Sequence, residues 1–307
     1  MDQPAVHVII LNWNNAPDTL ACLESVCRME YPNFSVLVVD NGSTDDSVEV
    51  ICGRYPEVEV VLTGANLGYA GGNNVGIRRA LVDGTEYVCV LNNDTEVAPS
   101  FLSALVEAMD DPRIGIAGPL VYYADPSNMI FSAGCDIDWR GGIVHHRGMG
   151  IIAGTEQSAA FTEPRNVNAL AGCGLLVSRI AIERAGLLDP TFFLNFEDID
   201  WCIRIAKSGL GVRYVPAAIM WHKVSATLGQ DSPTNTYYMT RNGLRFFGEY
   251  GPNKARALAT ILWRTARSIG AWTFKRVYGG EHYKRHRAAA MRGVGDFITR
   301  KFGPVRA

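Results

Sequence analysis

The chain has 307 residues, 48% of them hydrophobic, enough to bury one large α/β domain or a domain with an appendage. No stretch is both long and uncharged enough to span a bilayer, and the first residues lack the basic-then-apolar pattern of a signal peptide, so a cytoplasmic protein is expected. The net charge of −2 hides a segregation: from Lys254 to Ala307 there are 13 Lys/Arg and two acids, while the remainder carries 16 basic and 29 acidic residues. That asymmetry points to a separate C-terminal element with an anionic partner. The seven cysteines are odd in number and form no Cys-x-x-Cys pair, which favours reduced thiols over a zinc site or disulfides.

In chain order, Val6–Leu11 reads as a buried strand, Pro17–Arg28 as a helix and Phe34–Asp40 as a second strand. A helix over Asp45–Arg54, a strand over Val58–Leu62, a helix over Ala70–Val82 and a strand over Tyr87–Leu91 follow. Apolar strands alternating with helices predict a parallel sheet covered on both faces, with ligands bound beyond the strands' carboxyl ends. The polar residues collect at those ends: Asn12 and Asn14, Asp40 and Asn41, Asn66, and Asn92-Asn93-Asp94.

After a helix over Pro99–Met109 the rhythm changes. Ile114–Tyr123 and Ile130–Arg147 read as strands and hairpins, with a turn at Gly141-Gly142. Met149–Pro164 reads as a loop, Ala169–Ser178 as an apolar glycine-rich segment, and Asp198–Lys207 as a helix. Val212–Val215 is a short strand leading to Trp221-His222, and Asn235–Tyr250 is a helix. The tail is amphipathic: Leu258, Ile261, Leu262, Ile269 and Trp272 share one side of a helical wheel. Arg256, Arg264, Arg267 and Lys275 share the other, together with Trp263 and Phe274. Such a helix either packs on the main domain with a solvated basic face or attaches to an anionic membrane surface.

Three clusters carry the chemistry: Asp40-Asn41-Gly42-Ser43-Thr44-Asp45, Asn92-Asn93-Asp94 and Glu197-Asp198-Ile199-Asp200. Carboxylates at strand ends accept hydrogen bonds from a base or ribose, or hold a divalent cation through hard oxygens, but Asp-Asn-Gly is also a common turn. Glu-Asp at a helix start is equally ordinary capping chemistry. Between the first two clusters, glycines in Asn66–Gly76 open a helix and let backbone N–H groups approach a phosphate. The dinucleotide fingerprint should follow the first strand, which ends instead in Asn12-Trp13-Asn14, and this argues against a nicotinamide-dependent oxidoreductase. A nucleotidyltransferase would need a glycine-rich loop with Lys or Arg at that same place.

The ordered set Val8–Asn14, Val38–Asp45, Asn66-x-Gly68-x-Ala70-Gly71-Gly72-Asn73-Asn74-x-Gly76, Leu91–Thr95 and Phe193–Asp200 resembles family 2 glycosyltransferases of the GT-A fold. The likeness is nearest the bacterial rhamnosyltransferase-like branch and covers about Val6 to Tyr250. It implies an α/β fold, with a Rossmann-like nucleotide-binding sheet and a smaller mixed acceptor-side sheet. Residues 1–98 would mainly bind the nucleotide sugar and 99–250 serve acceptor and catalysis, with 251–307 a basic helical tail.

The resemblance also implies roles. Leu11, Asn12 and Trp13 would contact the nucleotide base, Asp40 and Asn41 the nucleoside, and Asn66, Gly68 and Asn73 the diphosphate. Asn92-Asn93-Asp94 occupies the family's Asp-x-Asp position, with Asp94 a metal ligand and Asn92 in place of the first acid. His222 would be a second ligand, and imidazole suits Mn²⁺ better than Mg²⁺. Asp198 matches the catalytic base of inverting enzymes, which deprotonates the acceptor hydroxyl as it attacks the anomeric carbon. Gly172, Cys173, Glu197, Asp200 and Trp201 would lie on the acceptor side, and Arg241, in a Tyr-Tyr-x-x-Arg-Asn motif, would contact the diphosphate. The implied partners are a nucleotide-sugar donor, with dTDP-L-rhamnose first and UDP-sugars as alternatives, and a saccharide or lipid-linked saccharide acceptor. Residues 254–301 would meet the inner face of the cell membrane, and no nucleic acid is expected. The alternative from another class is a catalytically silent sugar-nucleotide-binding module, against which Asp198, Asp94 and His222 together argue.

Overall fold

A computed structural model describes residues 3–224 and 232–305, without the side chains of 274–279. Phe274 and Lys275, assigned above to the basic side of the tail, thus lie outside the described side chains. The chain divides into two compact units: one comprises Met1–Asp136, His146–Pro190 and Asp198–Val224, the other Ile137–His145, Thr191–Glu197 and Ser225–Ala307. The expected boundary at residue 250 therefore does not coincide with the division by packing. The helix ending at Tyr250 groups with the tail.

In the first unit the opening elements are β1 (Val6–Asn12), α1 (Ala16–Val26), β2 (Phe34–Asp40), α2 (Ser47–Arg54), β3 (Glu59–Leu62), α3 (Gly68–Val82) and β4 (Tyr87–Asn92). β1 pairs in parallel with both β2 and β4, and β2 with β3, as the unbroken apolar runs require. Ile9, Ile10, Val38, Val39, Val88 and Val90 are wholly buried in this half of the sheet. α3 lies close on β1 and β2 because Gly76 has no side chain; a Cβ there would stand 2.6 Å from Ile9 Cγ2.

Beyond β4 come β5 (Thr95–Val97), α4 (Phe101–Ala108), β6 (Ile114–Tyr123) and β7 (Ile130–Ser132), and then β8 (Cys135–Asp138) and β9 (Ile143–His146), which form a two-stranded sheet of their own. A 3₁₀ turn at Glu156–Phe161 interrupts the segment read as a loop. β10 (Arg165–Asn166), β11 (Gly174–Ser178), α5 (Arg179–Ala185), α6 (Glu197–Lys207) and β12 (Gly211–His222) follow. The sheet runs β10-β12-β6-β11-β4-β1-β2-β3, with β5 on β12 and β7 on β6. β11 is antiparallel to both β4 and β6, so the sheet is mixed where the alternation of its first half alone predicts a parallel one. β12 is three times longer than its predicted core, because Pro216-Ala217-Ala218 interrupts the apolar run. The pairing with β6 shifts register between Val215 and Ile219 and then resumes.

The second unit is built on α7 (Pro233–Tyr250), α8 (Lys254–Gly279) and α9 (Glu281–Ile298), packed against one another. Ser232 caps α7 by accepting the Asn235 N–H at 3.0 Å, with Pro233 in its first turn. The tail read as one amphipathic stretch is two helices, separated at Gly280 with φ +84°. Ala257 and Ile261 of α8 are buried, whereas Trp263 is 57% exposed on the side that carries Arg256, Arg264 and Arg267. No described helix is long and apolar enough to cross a membrane.

Candidate active site

Strand register assembles the site in the first unit. Asn12 pairs with Asp40, Leu11 with Asn92, Leu91 with Gly174, and Thr95 with His222, so four strand ends bring their polar residues to one edge. Asp40 is buried and accepts three hydrogen bonds: Ser43 N–H at 2.9 Å, Ser43 Oγ at 2.5 Å and Asn12 Nδ2 at 2.9 Å. Asn12 in turn accepts from Thr19 Oγ1 at 2.7 Å, and Asn93 Nδ2 donates to that same hydroxyl at 3.0 Å. Asn12 therefore stands behind Asp40 as its support, and the buried network reaches from the end of β1 through α1 to the Asn92-Asn93-Asp94 turn.

Asn41 fixes the approach to α3. Its Oδ1 accepts the Leu67 N–H at 3.0 Å, and its Nδ2 donates to Asn66 Oδ1 and Gly68 O, each at 3.2 Å. Asn66 Oδ1 also accepts the Gly68 N–H at 2.8 Å. Gly72 lets this turn sit against the sheet, since a Cβ there would be 2.5 Å from Leu11 Cδ1. Asn73 is buried and donates back to Tyr69 O at 3.0 Å, which makes it a strut inside α3. Leu11 and Trp13 are half-buried beside these groups.

Asp94 and His222, both buried, face one another with Nε2 3.1 Å from Oδ1. Burial opposes the imidazolium, but Cys173 and Asp94 outweigh it and push His222 up to about 10. A carboxylate oxygen and an imidazole nitrogen at this separation suit a divalent cation of borderline character, provided the ion displaces the His222 proton as it binds. Among the described residues no third His, Cys, Asp or Glu completes a cluster with them. Asn92, half-buried beside them, accepts Thr95 Oγ1 on its carbonyl at 2.6 Å and so closes the turn.

Asp198 lies in the first turn of α6 and keeps partial access to solvent. Its Oδ2 accepts the Gly172 N–H at 2.8 Å and its Oδ1 the Ile199 N–H at 2.8 Å. Removal from water raises its pKa, the two N–H groups oppose that rise, and Asp200 adds to it. A carboxyl held by backbone donors and open in part to solvent is suited to take a proton from a hydroxyl.

Other expected residues take different places. Trp201 presents no face to a sugar: its indole is wholly buried and donates to Gly186 O at 2.8 Å, as a core tryptophan does. Asp200, also buried, is engaged by Arg204 Nε at 2.8 Å. Cys173 is buried, and its carbonyl accepts the Asn92 N–H at 3.0 Å, in the ladder beside Asp94. Arg241 and Glu197 belong to the second unit. Glu197 is buried at the start of α6. Arg241 is wholly buried and spends its guanidinium on Gly303 O, Thr191 O and Phe192 O, which leaves no donor face for a diphosphate in this conformation. Sequence reasoning missed Thr19, Ser43 and Tyr69. Ser43 lay within a cluster already singled out, but nothing in the spacing marked Thr19 or Tyr69.

The family model for Glycosyl transferase family 2 matches residues 7–150, and that for Glycosyl transferase family group 2 matches residues 87–232. An N-acetylglucosaminyl-diphospho-decaprenol L-rhamnosyltransferase of Mycobacterium tuberculosis is 31% identical over 244 residues, spanning 73% of this chain and 78% of that protein. A dTDP-rhamnosyl transferase, RfbF, of Shigella flexneri is 26% identical over 245 residues, spanning 77% and 78%. Among solved structures, a mannosyltransferase from Pyrobaculum calidifontis, in complex with GDP-Man and Mn²⁺, superposes with a TM-score of 0.61 at 16% identity. It covers 98% of this chain and 88% of its own. GalNAc-T7 with UDP, GalNAc and Mn²⁺ gives 0.60 at 16%, covering 88% and 58%. These neighbours establish the GT-A-type fold, and the curated relatives establish the rest: the chain belongs to glycosyl transferase family 2, in its rhamnosyltransferase-like branch.

Proposed function

We propose that the protein transfers L-rhamnose from dTDP-L-rhamnose to a saccharide or lipid-linked saccharide, with inversion at the anomeric carbon. The donor and acceptor classes follow the names of the two rhamnosyltransferase relatives. The observation that carries the chemistry is Asp198, held by two backbone N–H groups with its pKa raised and solvent access retained. The acceptor hydroxyl gives its proton to Asp198 as its oxygen attacks the anomeric carbon, and the nucleoside diphosphate leaves from the opposite face. Asp40 accepts hydrogen bonds from the nucleoside, and the turn fastened by Asn41 and Asn66 presents backbone N–H groups to the diphosphate. Asp94 and His222 fit a divalent cation, with Mn²⁺ preferred over Mg²⁺. Such an ion, when bound, supplies positive charge to the leaving diphosphate.

Two measurements test this reading. A thermal-shift panel of dTDP-rhamnose and UDP-sugars, each with and without Mn²⁺ or Mg²⁺, should give its largest shift with dTDP-rhamnose and metal. A ligand at a hundredfold its Kd adds about 2.7 kcal/mol. A larger shift with a UDP-sugar reassigns the donor, and no shift with any nucleotide refutes a donor site. Asp198→Asn should abolish transfer while leaving nucleotide binding intact. We assign the outward side of α8 to an anionic membrane surface at the inner face of the cell membrane, supported by Trp263 lying exposed with the Arg267 guanidinium 4.7 Å from its ring.

A further inference from the structure

The Asp198 carboxylate does not stand on its own helix alone. Gly172 donates its N–H to Asp198 Oδ2 at 2.8 Å, and the carbonyl of the same residue accepts the Tyr69 hydroxyl. Gly172 approaches the aspartate so closely that a Cβ would stand 2.9 Å from Asp198 Cβ and 3.0 Å from Oδ2. Tyr69 is the second residue of α3, immediately after the turn fastened by Asn41 and Asn66, and it lies half-buried. One residue, Gly172, is thus gripped on its carbonyl side from the diphosphate-side helix and grips Asp198 on its amide side. A half-buried phenol usually finds a partner, but its choice of the one carbonyl whose residue holds Asp198 is not required by packing.

We propose that Tyr69 is a positioning residue for the reaction: through Gly172 it fixes the orientation of the Asp198 carboxylate, and so ties the geometry of the base to that of the α3 turn. The inference rests on the assignment of Asp198 as base. With the Tyr69 hydroxyl removed, Gly172 is free to drift and the Gly172 N–H bond to Oδ2 lengthens. That bond favours the ionised carboxylate, so its loss makes Asp198 harder to deprotonate. The other groups facing Asp198 act in a fixed sense: Asp200 raises its pKa, and the Cys135 and Cys202 thiols are held protonated by burial.

The test is the pH dependence of kcat for Tyr69→Phe, with nucleotide binding measured alongside. The expected result is a roughly tenfold lower kcat at neutral pH, an acid limb displaced to higher pH, and an unchanged Kd for the nucleotide. Gly172→Ala perturbs the same link from its other side with Tyr69 intact, and should displace the acid limb in the same direction. An unchanged kcat and limb in Tyr69→Phe overturns the proposal, as does a loss of nucleotide affinity equal to the loss of kcat/KM, which would make Tyr69 part of the donor site instead. If Tyr69→Phe fails to fold, a Gly172→Ala enzyme with a wild-type profile overturns it. Asp198→Asn keeps the two readings apart: full activity there removes the base itself, whereas an inactive Asp198→Asn beside a wild-type Tyr69→Phe removes only this inference.

Discussion

A base must be ionised to accept a proton, and Asp198 sits where ionisation is disfavoured. Burial and Asp200 raise its pKa against the pull of the Gly172 and Ile199 N–H groups. Activity is therefore lost as pH falls through that raised value, and the acid limb of kcat/KM, which reports the free enzyme, lies above the range of a free carboxylate. A pH–rate profile checks this, and a limb at or below about 4 would remove Asp198 from the role. Asn12 offers a second test. Replacing it by alanine leaves buried Asp40 and Thr19 each short of a partner, so Asn12→Ala should cost about 1–3 kcal/mol in chemical denaturation and weaken nucleotide binding. The roles of Asn12 and Trp201 show the limit of reading single residues. A buried donor behind a site and a ligand within it have the same letter, and only the partner atoms tell them apart. Asp200 and Arg241 are placed at the site by the family resemblance, and each is engaged within the protein, Asp200 by Arg204 and Arg241 by backbone carbonyls.

Between residue and molecule, helices and strands show why some of the fold was legible. β1, β2 and β4 are continuous apolar runs ending in polar residues, and their register follows from that pattern. β5 and α5 left little trace: three residues of strand and seven of helix fall below the length at which periodicity speaks. β12 was cut short because a proline and two alanines look like a terminus, when they mark a shift of register. Glycine positions supply a paired prediction. Gly76→Ala drives a methyl toward Ile9 and Val39 and should destabilise by about 1–3 kcal/mol. Gly53→Ala, in α2 with nothing within 4 Å of its Cβ, should stabilise by about 0.5–1 kcal/mol. Thermal melts of the two variants should move in opposite directions.

For the whole chain, charge was legible in the sequence and its orientation was not. The wheel assigned apolar and basic sides to the tail, and the packing of α8 decides which is spent: Ala257 and Ile261 are buried, while Trp263 and the arginines beside it stay outside. Any membrane attachment then works through Trp263, the exposed Leu262 and charge, with the buried apolar residues taking no part. Trp263→Ala combined with Arg256→Glu and Arg267→Glu should lower binding to vesicles rich in anionic lipid at least tenfold, at about 1 kcal/mol per basic residue. Binding that survives these changes, or that is equal for neutral vesicles, refutes the attachment.

The position of β11 has one more consequence. The strands from β1 to β4 come from a continuous stretch of chain, but the neighbour that completes β4 arrives only with Gly174–Ser178. During synthesis the half built on β1 to β4 emerges first, with one flank of β4 presenting a row of unpaired N–H and C=O groups until β11 arrives. Completing the sheet requires a strand from about 85 residues downstream to insert between β4 and β6, a long-range pairing of the kind that slows folding. Chains cut short before that strand should aggregate through the bare flank of β4, however stable the half that carries it.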